Sequence, residues 1–259
     1  MGKRAMTQEM LARRDRIVAL VNQQGTVSFA QIKAALPHVS EMTIRTDLKA
    51  LDQERRIVRI HGGARSVSFV VGTDDLLDLR AVRNVDEKKT VAAKAAALVE
   101  PNTTLFIDSG STTALMAAEL PDEHFIAFTN SLAVAGELAH RAHAESFLIG
   151  GRINRFSLCT DGVRAQQHVE SLAFDQFFMG VTSYSPECGF SCGSDEEALL
   201  KRLCINRAEK TVALMDSSKV DVRNTFGICA LDQVDVVVSD GELPQDFLDA
   251  CRDAGVQVL

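Results

Sequence analysis

The 259-residue sequence contains no run of 18 or more apolar residues, so it offers no candidate membrane-spanning helix. Its opening, MGKRAMTQEMLARRDR, is basic but has no apolar stretch behind it and does not read as a secretory signal. The six cysteines stand at irregular spacing, and without export they read as reduced thiols, not as a disulfide framework. No internal repeat or low-complexity tract interrupts the chain. These absences lead to the expectation of a cytoplasmic protein with no membrane partner.

What is present is ample core material, with 46% hydrophobic residues, and enough length for two domains. The net charge of −7 argues at first sight against a polyanionic partner. Divided along the chain, the charge reads differently. Residues 1–65 hold 12 Lys/Arg against 6 Asp/Glu, a net of +6, and the remaining 16 and 29 leave residues 66–259 at −13. A small basic head on an acidic body is the asymmetry expected when only one end meets nucleic acid. The alternative is a solvated helical face that happens to be basic.

The apolar periodicity predicts a first helix over 13–24 closed by Gly25, a short extended piece at 26–28, and a second helix over 29–36 stopped by Pro37. Ser40 is placed to cap a third helix over 41–54. The alternating stretch Ile57 to His61 suits a short two-stranded ribbon ended by Gly62 and Gly63. This order predicts a winged helix-turn-helix in residues 1–65. Residues 66–85 lack a clear period and read as a linker. From residue 86 the pattern becomes α/β: a helix over 88–99, then apolar strands near 104–108, 125–129, 147–149, 174–179, 211–215, 234–238 and 256–259. Helical segments at 111–120, 131–142, 195–208 and 244–253 lie between most of them, which predicts a parallel sheet covered on both faces over 86–259.

In the third helix Ile44, Leu48 and Leu51 form one apolar stripe, leaving Glu41, Thr43, Arg45, Thr46 and Lys49 outward. Hydroxyls and cations near the N-terminal end suit the part of a recognition helix that reaches base edges. Arg45 is the candidate for a bidentate contact to guanine, and Ser40, Thr43, Thr46 and Lys49 for phosphate or thymine-methyl contacts. Arg55, Arg56, Arg59, His61 and Arg65 lie on the ribbon as candidates for backbone contacts. Each has an alternative reading, in that Arg45 can pair with Glu41 or Asp47 and Lys49 can be merely solvated.

The run VSEMTIRTDLKALDQERRIVRIHGGA resembles the signature of the DeoR-type bacterial repressors of sugar metabolism, and the resemblance continues in NVDEKKTVAAKAAALV, FIDSGSTT, TNSL, Gly150-Gly151, EEALLKR and MDSSK. It implies a Rossmann-like sensor similar to ribose-5-phosphate isomerase and coenzyme A transferase folds, a phosphorylated sugar effector and double-stranded operator DNA as partner. The chain departs from the family pattern at three places: Thr46 replaces a second arginine, Arg55 replaces a glycine, and Val220-Asp221 replaces Phe-Gly. An arginine at position 55 is expected to adopt positive φ at a cost, or to rearrange the turn.

DSGSTT also carries an argument of its own. Asp108 closes a strand, Ser109 and Gly110 turn, and Ser111, Thr112 and Thr113 open a helix, which gathers unpaired N–H groups and hydroxyls suited to a phosphate. Ligands in open α/β sheets sit at the carboxyl ends of strands, and the same rule points to Asn130, Gly150, Gly151, Asp216 and Lys219. Lys201 and Lys219 are candidates to neutralise the phosphate, and Asp108, Asn130, Glu197 and Asp216 to bind sugar hydroxyls. Glu197 and Lys201 can equally be a surface i, i+4 pair, Gly150-Gly151 a simple turn, and the hydroxyls helix caps. Cys188 and Cys192 invite a metal or redox reading, but no second pair completes a tetrahedral site, so they read as loop cysteines.

The expectation is a ligand-controlled repressor that works as a dimer or tetramer and needs neither cofactor nor metal. A phosphosugar isomerase is the competing reading from another class, disfavoured because a DNA-binding head has no use in one. A nucleoid protein without sequence preference is the third.

Overall fold

The computed structural model describes residues 8–24, 26–54, 56–60, 62–66 and 77–259, which fall into two units, Met1–Thr73 and Asp74–Leu259. In the first unit α1 (Gln8–Gln24) leads through β1 (Thr26–Ser28) to α2 (Phe29–Ala35) and α3 (Glu41–Gln53). Ser28 starts α2 with a capping box: its hydroxyl takes the Gln31 N–H at 3.3 Å and the Gln31 side chain takes the Ser28 N–H at 2.8 Å. Ser40 caps α3 through the Thr43 N–H at 3.1 Å, as its position before the apolar stripe predicts. Ile17, Val21, Ile32, Ile44, Leu48, Leu51 and Ile57 form the core.

Beneath that core, Asp47 is buried and takes hydrogen bonds from Arg13 Nε at 2.6 Å and Arg14 Nε at 3.0 Å. Arg14 also reaches Glu54 at 2.8 Å, so α1 is pinned to both halves of α3 by charge-assisted bonds.

The wing differs from the expected two-stranded ribbon. Gly62, at φ 79°, turns the chain between β2 (Val58–Ile60) and β3 (Gly63–Arg65), so the glycine pair makes the hairpin and does not end it. β1 then adds to β3, giving an antiparallel sheet of order β1-β3-β2. The physical reason lies at Gly63, where a Cβ would fall on the Val27 carbonyl oxygen. Only glycine lets the strands approach this closely. Gly25, Arg55 and His61, with the expectations attached to them, lie outside the described residues.

The second unit is built on a seven-stranded sheet of order β15-β14-β12-β9-β4-β5-β6, parallel at every pairing. Its strands are β4 (Thr104–Ile107), β5 (Ile126–Thr129), β6 (Glu145–Leu148), β9 (Phe174–Gly180), β12 (Ala208–Leu214), β14 (Val236–Val238) and β15 (Gln257–Val258). Its central strands are buried on both faces and alternate between two cores, while the edge strand β6 is exposed. Phe106, Phe177, Ala213 and Val237 enter one, while Leu105, Ile107, Phe178, Val212 and Val236 enter the other. This is why the strands read as continuous apolar runs. Helices α5 (Val85–Ala96), α6 (Ser111–Glu119) and α7 (Leu132–Leu138) supply one cover, and α8 (Val163–Glu170), α9 (Asp195–Arg207) and α10 (Gln245–Asp253) the other.

Several elements go beyond the expected set. β7 (Arg152–Asn154) pairs with β8 (Cys159–Asp161), and β10 (Ser183–Ser185), β11 (Gly189–Cys192) and β13 (Phe226–Cys229) form a small antiparallel sheet. Cys192 is therefore a buried strand residue and not a loop cysteine. Within the stretch expected as linker, Leu77–Ala81 forms the short helix α4 and Ser66 is buried, bonded to Asn22 at 2.7 Å.

Replacing Gly63 by alanine should force β1 away from β3. We expect the N-terminal unit to lose about 1–3 kcal/mol, read as faster amide exchange at residues 26–28 and 63–65. Unchanged exchange there would contradict this account of the wing.

Candidate functional site

The outward face of α3 presents Arg45, Thr46 and Lys49, all exposed. The Arg45 guanidinium lies over the Phe29 ring, 4.5 Å from its centroid, and stands 3.8 Å from Glu41. Asp47, the other acidic partner open to Arg45 from sequence, is occupied by Arg13 and Arg14. Thr43 is half-buried, with its hydroxyl 2.8 Å from that of Ser40, and the Thr46 hydroxyl donates to the Met42 carbonyl at 2.9 Å. Arg59 is exposed on β2, whereas Arg56 is held by Asp15 at 2.7 Å. Of the sequence candidates, Arg45, Thr46, Lys49 and Arg59 thus present exposed side chains, while Thr43 and Arg56 are engaged within the unit.

In the second unit the sequence candidates gather along the carboxyl edge of the parallel sheet. Asp108 ends β4, Asn130 follows β5, Gly180 ends β9 and Asp216 follows β12, so neighbouring strands deliver them to one rim. Adjacent strands step by about 4.8 Å.

The centre of the rim is an ion cluster. Lys201 on α9 is buried; its ammonium donates to Asp108 Oδ2 and to the Gly180 carbonyl at 2.8 Å, and lies 3.2 Å from Glu197 Oε1. The Gly180 N–H donates to the same Asp108 oxygen at 3.0 Å. Burial pushes the Asp108 carboxyl above its ordinary range, with Lys201 opposing the rise and Glu197 adding to it. Burial alone would lower Lys201, but Asp108 and Glu197 hold it above its ordinary value. Its charge is met by these carboxylates. Glu197 and Lys201 are therefore a buried pair, and the surface-pair alternative does not hold.

Beside this cluster α6 begins at Gly110 with no side-chain cap. The Thr113 hydroxyl is turned back to the Gly110 carbonyl at 3.1 Å, Ser109 and Thr112 are buried, and Ser111 is half-buried. The first-turn N–H groups are left as the donors of the motif. Asn130 donates to the Thr160 carbonyl at 3.2 Å, and its buried Oδ1 has no hydrogen-bond partner among the described residues. Ser131 is spent on capping α7. Gly150 and Gly151 turn the chain between β6 and β7, and a Cβ on Gly151 would stand 2.6 Å from the Asp161 carbonyl oxygen. That close approach is a packing reason for glycine at 151.

The far side of the rim holds cations that no apolar pattern marks. Asn84 donates to Asp216 Oδ1 and to the Ser218 hydroxyl, each at 3.0 Å, tying the start of α5 to the loop after β12. One turn on, Lys88 is buried and donates to the carbonyls of Arg80 at 2.5 Å and Arg83 at 2.7 Å. Burial, the nearby Lys219 and the Arg80 and Arg83 charges bring its ammonium down to about 8, against the pull of Asp216. Lys219 stands 3.6 Å from Asp216 Oδ2, a buried oxygen without a hydrogen-bond partner among the described residues. Arg80 Nε and Nη2 are buried and likewise have no hydrogen-bond partner among the described residues. The sequence signal for this group is the run of cations at 80, 83, 88 and 89 before an Ala-rich helix.

The cysteines are set up for packing. Burial raises the Cys159 thiol to about 11 and Cys229 to about 12. Among the described residues no group of three or more His, Cys, Asp or Glu side chains is arranged to hold a metal, and no helix is long and apolar enough to cross a membrane.

Residues 13–69 match the DeoR-like helix-turn-helix domain and residues 83–241 the DeoR C terminal sensor domain. The chain belongs to the DeoR family. Among relatives of this DeoR-family chain, a protein of Escherichia coli O157:H7 named for repression of the aga operon is 33% identical over 250 residues, 95% of this chain and 92% of that one. The lactose phosphotransferase system repressor of Staphylococcus aureus is 32% identical over 232 residues, 89% of this chain and 92% of that one. These relatives are named as repressors, and the DeoR-family chain is a DNA-binding transcriptional regulator and not an enzyme. A ribose 5-phosphate isomerase of Methanocaldococcus jannaschii overlaps 53% of this chain and 55% of its own at a TM-score of 0.40 and 18% identity, too distant to bear on ligand or activity. Where the family pattern carries glycine after Ser218-Lys219, Asp221 takes φ 59°, in the left-handed region that favours glycine.

Lys201→Met should strand two buried carboxylates and cost about 3–5 kcal/mol of stability, measured by urea unfolding followed by far-UV circular dichroism. Adding Asp108→Asn and Glu197→Gln should recover part of that loss. A single variant as stable as the parent would contradict the buried-ion reading.

Proposed function

We propose that this regulator represses carbohydrate-metabolism genes from the cytoplasm as a homo-oligomer, and that a phosphorylated sugar at the carboxyl edge of its parallel sheet controls its affinity for operator DNA. The observation that carries this reading is the convergence of unsatisfied groups on one rim. Among the described residues the first turn of α6 has no side-chain cap and Asn130 Oδ1 and Asp216 Oδ2 have no hydrogen-bond partner, and Lys219 and Lys88 stand near Asp216. Buried polar groups without partners are costly, and a ligand bearing both hydroxyls and a phosphate supplies what each lacks.

In this reading the α6 N–H groups together with Lys88 and Lys219 hold the phosphate, and Asn130 and Asp216 take sugar hydroxyls. Asp108, Glu197 and Lys201 are engaged with one another and act as the floor, so each group that could serve an isomerase as a base is already paired. On the other unit, Arg45 reads a guanine, and Thr46, Lys49 and Arg59 contact the DNA, with Ser40, Thr43 and Arg56 closer to the scaffold. Coupling of about 1–3 kcal/mol between the two sites changes operator affinity about 5- to 150-fold.

The test is fluorescence anisotropy of the full-length protein on a duplex selected from a random pool, titrated with ribose 5-phosphate, fructose 6-phosphate and galactose 6-phosphate. At least one sugar phosphate should shift operator affinity within that range, and the unphosphorylated sugars should not. No response to any sugar phosphate tested at millimolar concentration would contradict the proposal.

Lys88 gives the reading a pH signature. Its ammonium loses its proton near pH 8 in the folded chain but near 10.5 in the unfolded one, so the cost of burying it is greatest below 8 and is relieved as pH rises above 8. Phosphate affinity runs the other way. Sugar-phosphate binding should weaken as pH rises through 8, and Lys88→Met should bind less tightly with a flat profile across that range. A variant that keeps the parental pH profile would remove Lys88 from the site.

A further inference from the structure

At the head of α3 stands a residue for which neither the fold nor the groups already described has a use. Met42 is 73% exposed and takes no part in the core formed by Ile44, Leu48 and Leu51. Its spacing from Arg45, Thr46 and Lys49 is i+3, i+4 and i+7, so it opens the same outward face. Its neighbours in the first turn are not available for reading. The Thr43 hydroxyl is joined to Ser40, the Thr46 hydroxyl is returned to the Met42 carbonyl, and the Glu41 carboxylate stands 3.8 Å from Arg45. The N-terminal turn of a recognition helix is the part that reaches base edges, and there the one apolar feature of the major groove is the thymine C5-methyl. An unbranched, polarisable thioether adapts readily to such a contact.

We propose that Met42 is a specificity-determining residue that selects a thymine in each half-site by packing against its C5-methyl, next to the base read by Arg45. The proposal rests on the reading of α3 as the recognition helix. It assigns apolar readout to Met42, which shares the outward face with Arg45, in place of the threonine methyls.

The test starts with the full-length parent and Met42→Ala, each used to select duplexes from a randomised pool. Alanine is a better helix former than methionine at an exposed site, so folding is not at risk. The parent should enrich one T·A pair per half-site that Met42→Ala does not, with the rest of the consensus unchanged. That thymine is then replaced by deoxyuridine in the parent's selected duplex, which removes the methyl alone. The parent should lose affinity by about 3- to 5-fold per half-site, the worth of one buried methyl group, while Met42→Ala should bind both duplexes equally. The same consensus from both proteins, or an equal loss on deoxyuridine in both, would overturn the proposal. That includes the case in which Met42 serves a protein partner. A parent that enriches no sequence at all would overturn the recognition-helix reading together with it.

Discussion

The second unit is organised around one buried ammonium group. Lys201 joins the end of β4 through Asp108, the end of β9 through the Gly180 carbonyl, and its own helix through Glu197. A lysine so buried survives only because two carboxylates meet it, and they survive only because of the lysine. This mutual dependence fixes the height of α9 over the sheet and closes the floor of the rim. It also settles what the floor offers a ligand, since its three charges are already engaged with one another. In the proposed function, recognition of the phosphate therefore falls to the uncapped start of α6 and to Lys88 and Lys219.

The arrangement of charge along the chain follows from the same division. Residues 66–259 carry a net of −13, which by itself repels a phosphate. At physiological salt such a field is screened beyond about 8 Å, so the cations immediately around a ligand decide its fate. Arg80, Arg83, Lys88 and Lys219 are grouped together, and burial together with this crowding of like charges lowers the proton affinity of Lys88. The basic N-terminal unit works on the opposite principle. Its partner is a long polyanion, and scattered exposed cations suffice for attraction while the face of α3 supplies discrimination.

Much of this was legible in the residues, and what was not has physical causes. Strands β4, β5, β9, β12 and β14 stood out because each carries a short apolar run, buried or half-buried, such as Leu105 to Ile107, Phe177 to Met179, Val212 to Leu214 and Val236 to Val238. The strands of the small sheet, SYS and GFSC among them, are short and built from serine, glycine and cysteine, and α8 reads VRAQQHVE, with only Ala165 and Val169 buried. Patterns that weak do not rise above a loop. Ser40 could be placed as a cap because capping is a local matter. Burial is not local, which is why Lys201 and Glu197 looked from their i, i+4 spacing like an ordinary surface pair. The burial of Lys88 was hidden for the same reason: its hydrogen-bond partners are carbonyls of Arg80 and Arg83, and the charges of Asp216 and Lys219 reach it from the loop after β12. The wing went astray at Gly62-Gly63 because a glycine pair marks equally a strand end and a tight hairpin.

The central claim is that the rim and the recognition helix are linked through a sugar phosphate. Linkage is reciprocal in free energy, which allows a direct measurement. Calorimetric titration of the effective sugar phosphate into the full-length protein, with and without saturating selected duplex, yields two dissociation constants. The account predicts that their ratio equals the factor by which that sugar phosphate changes duplex affinity. Equal constants in the presence and absence of DNA would contradict it.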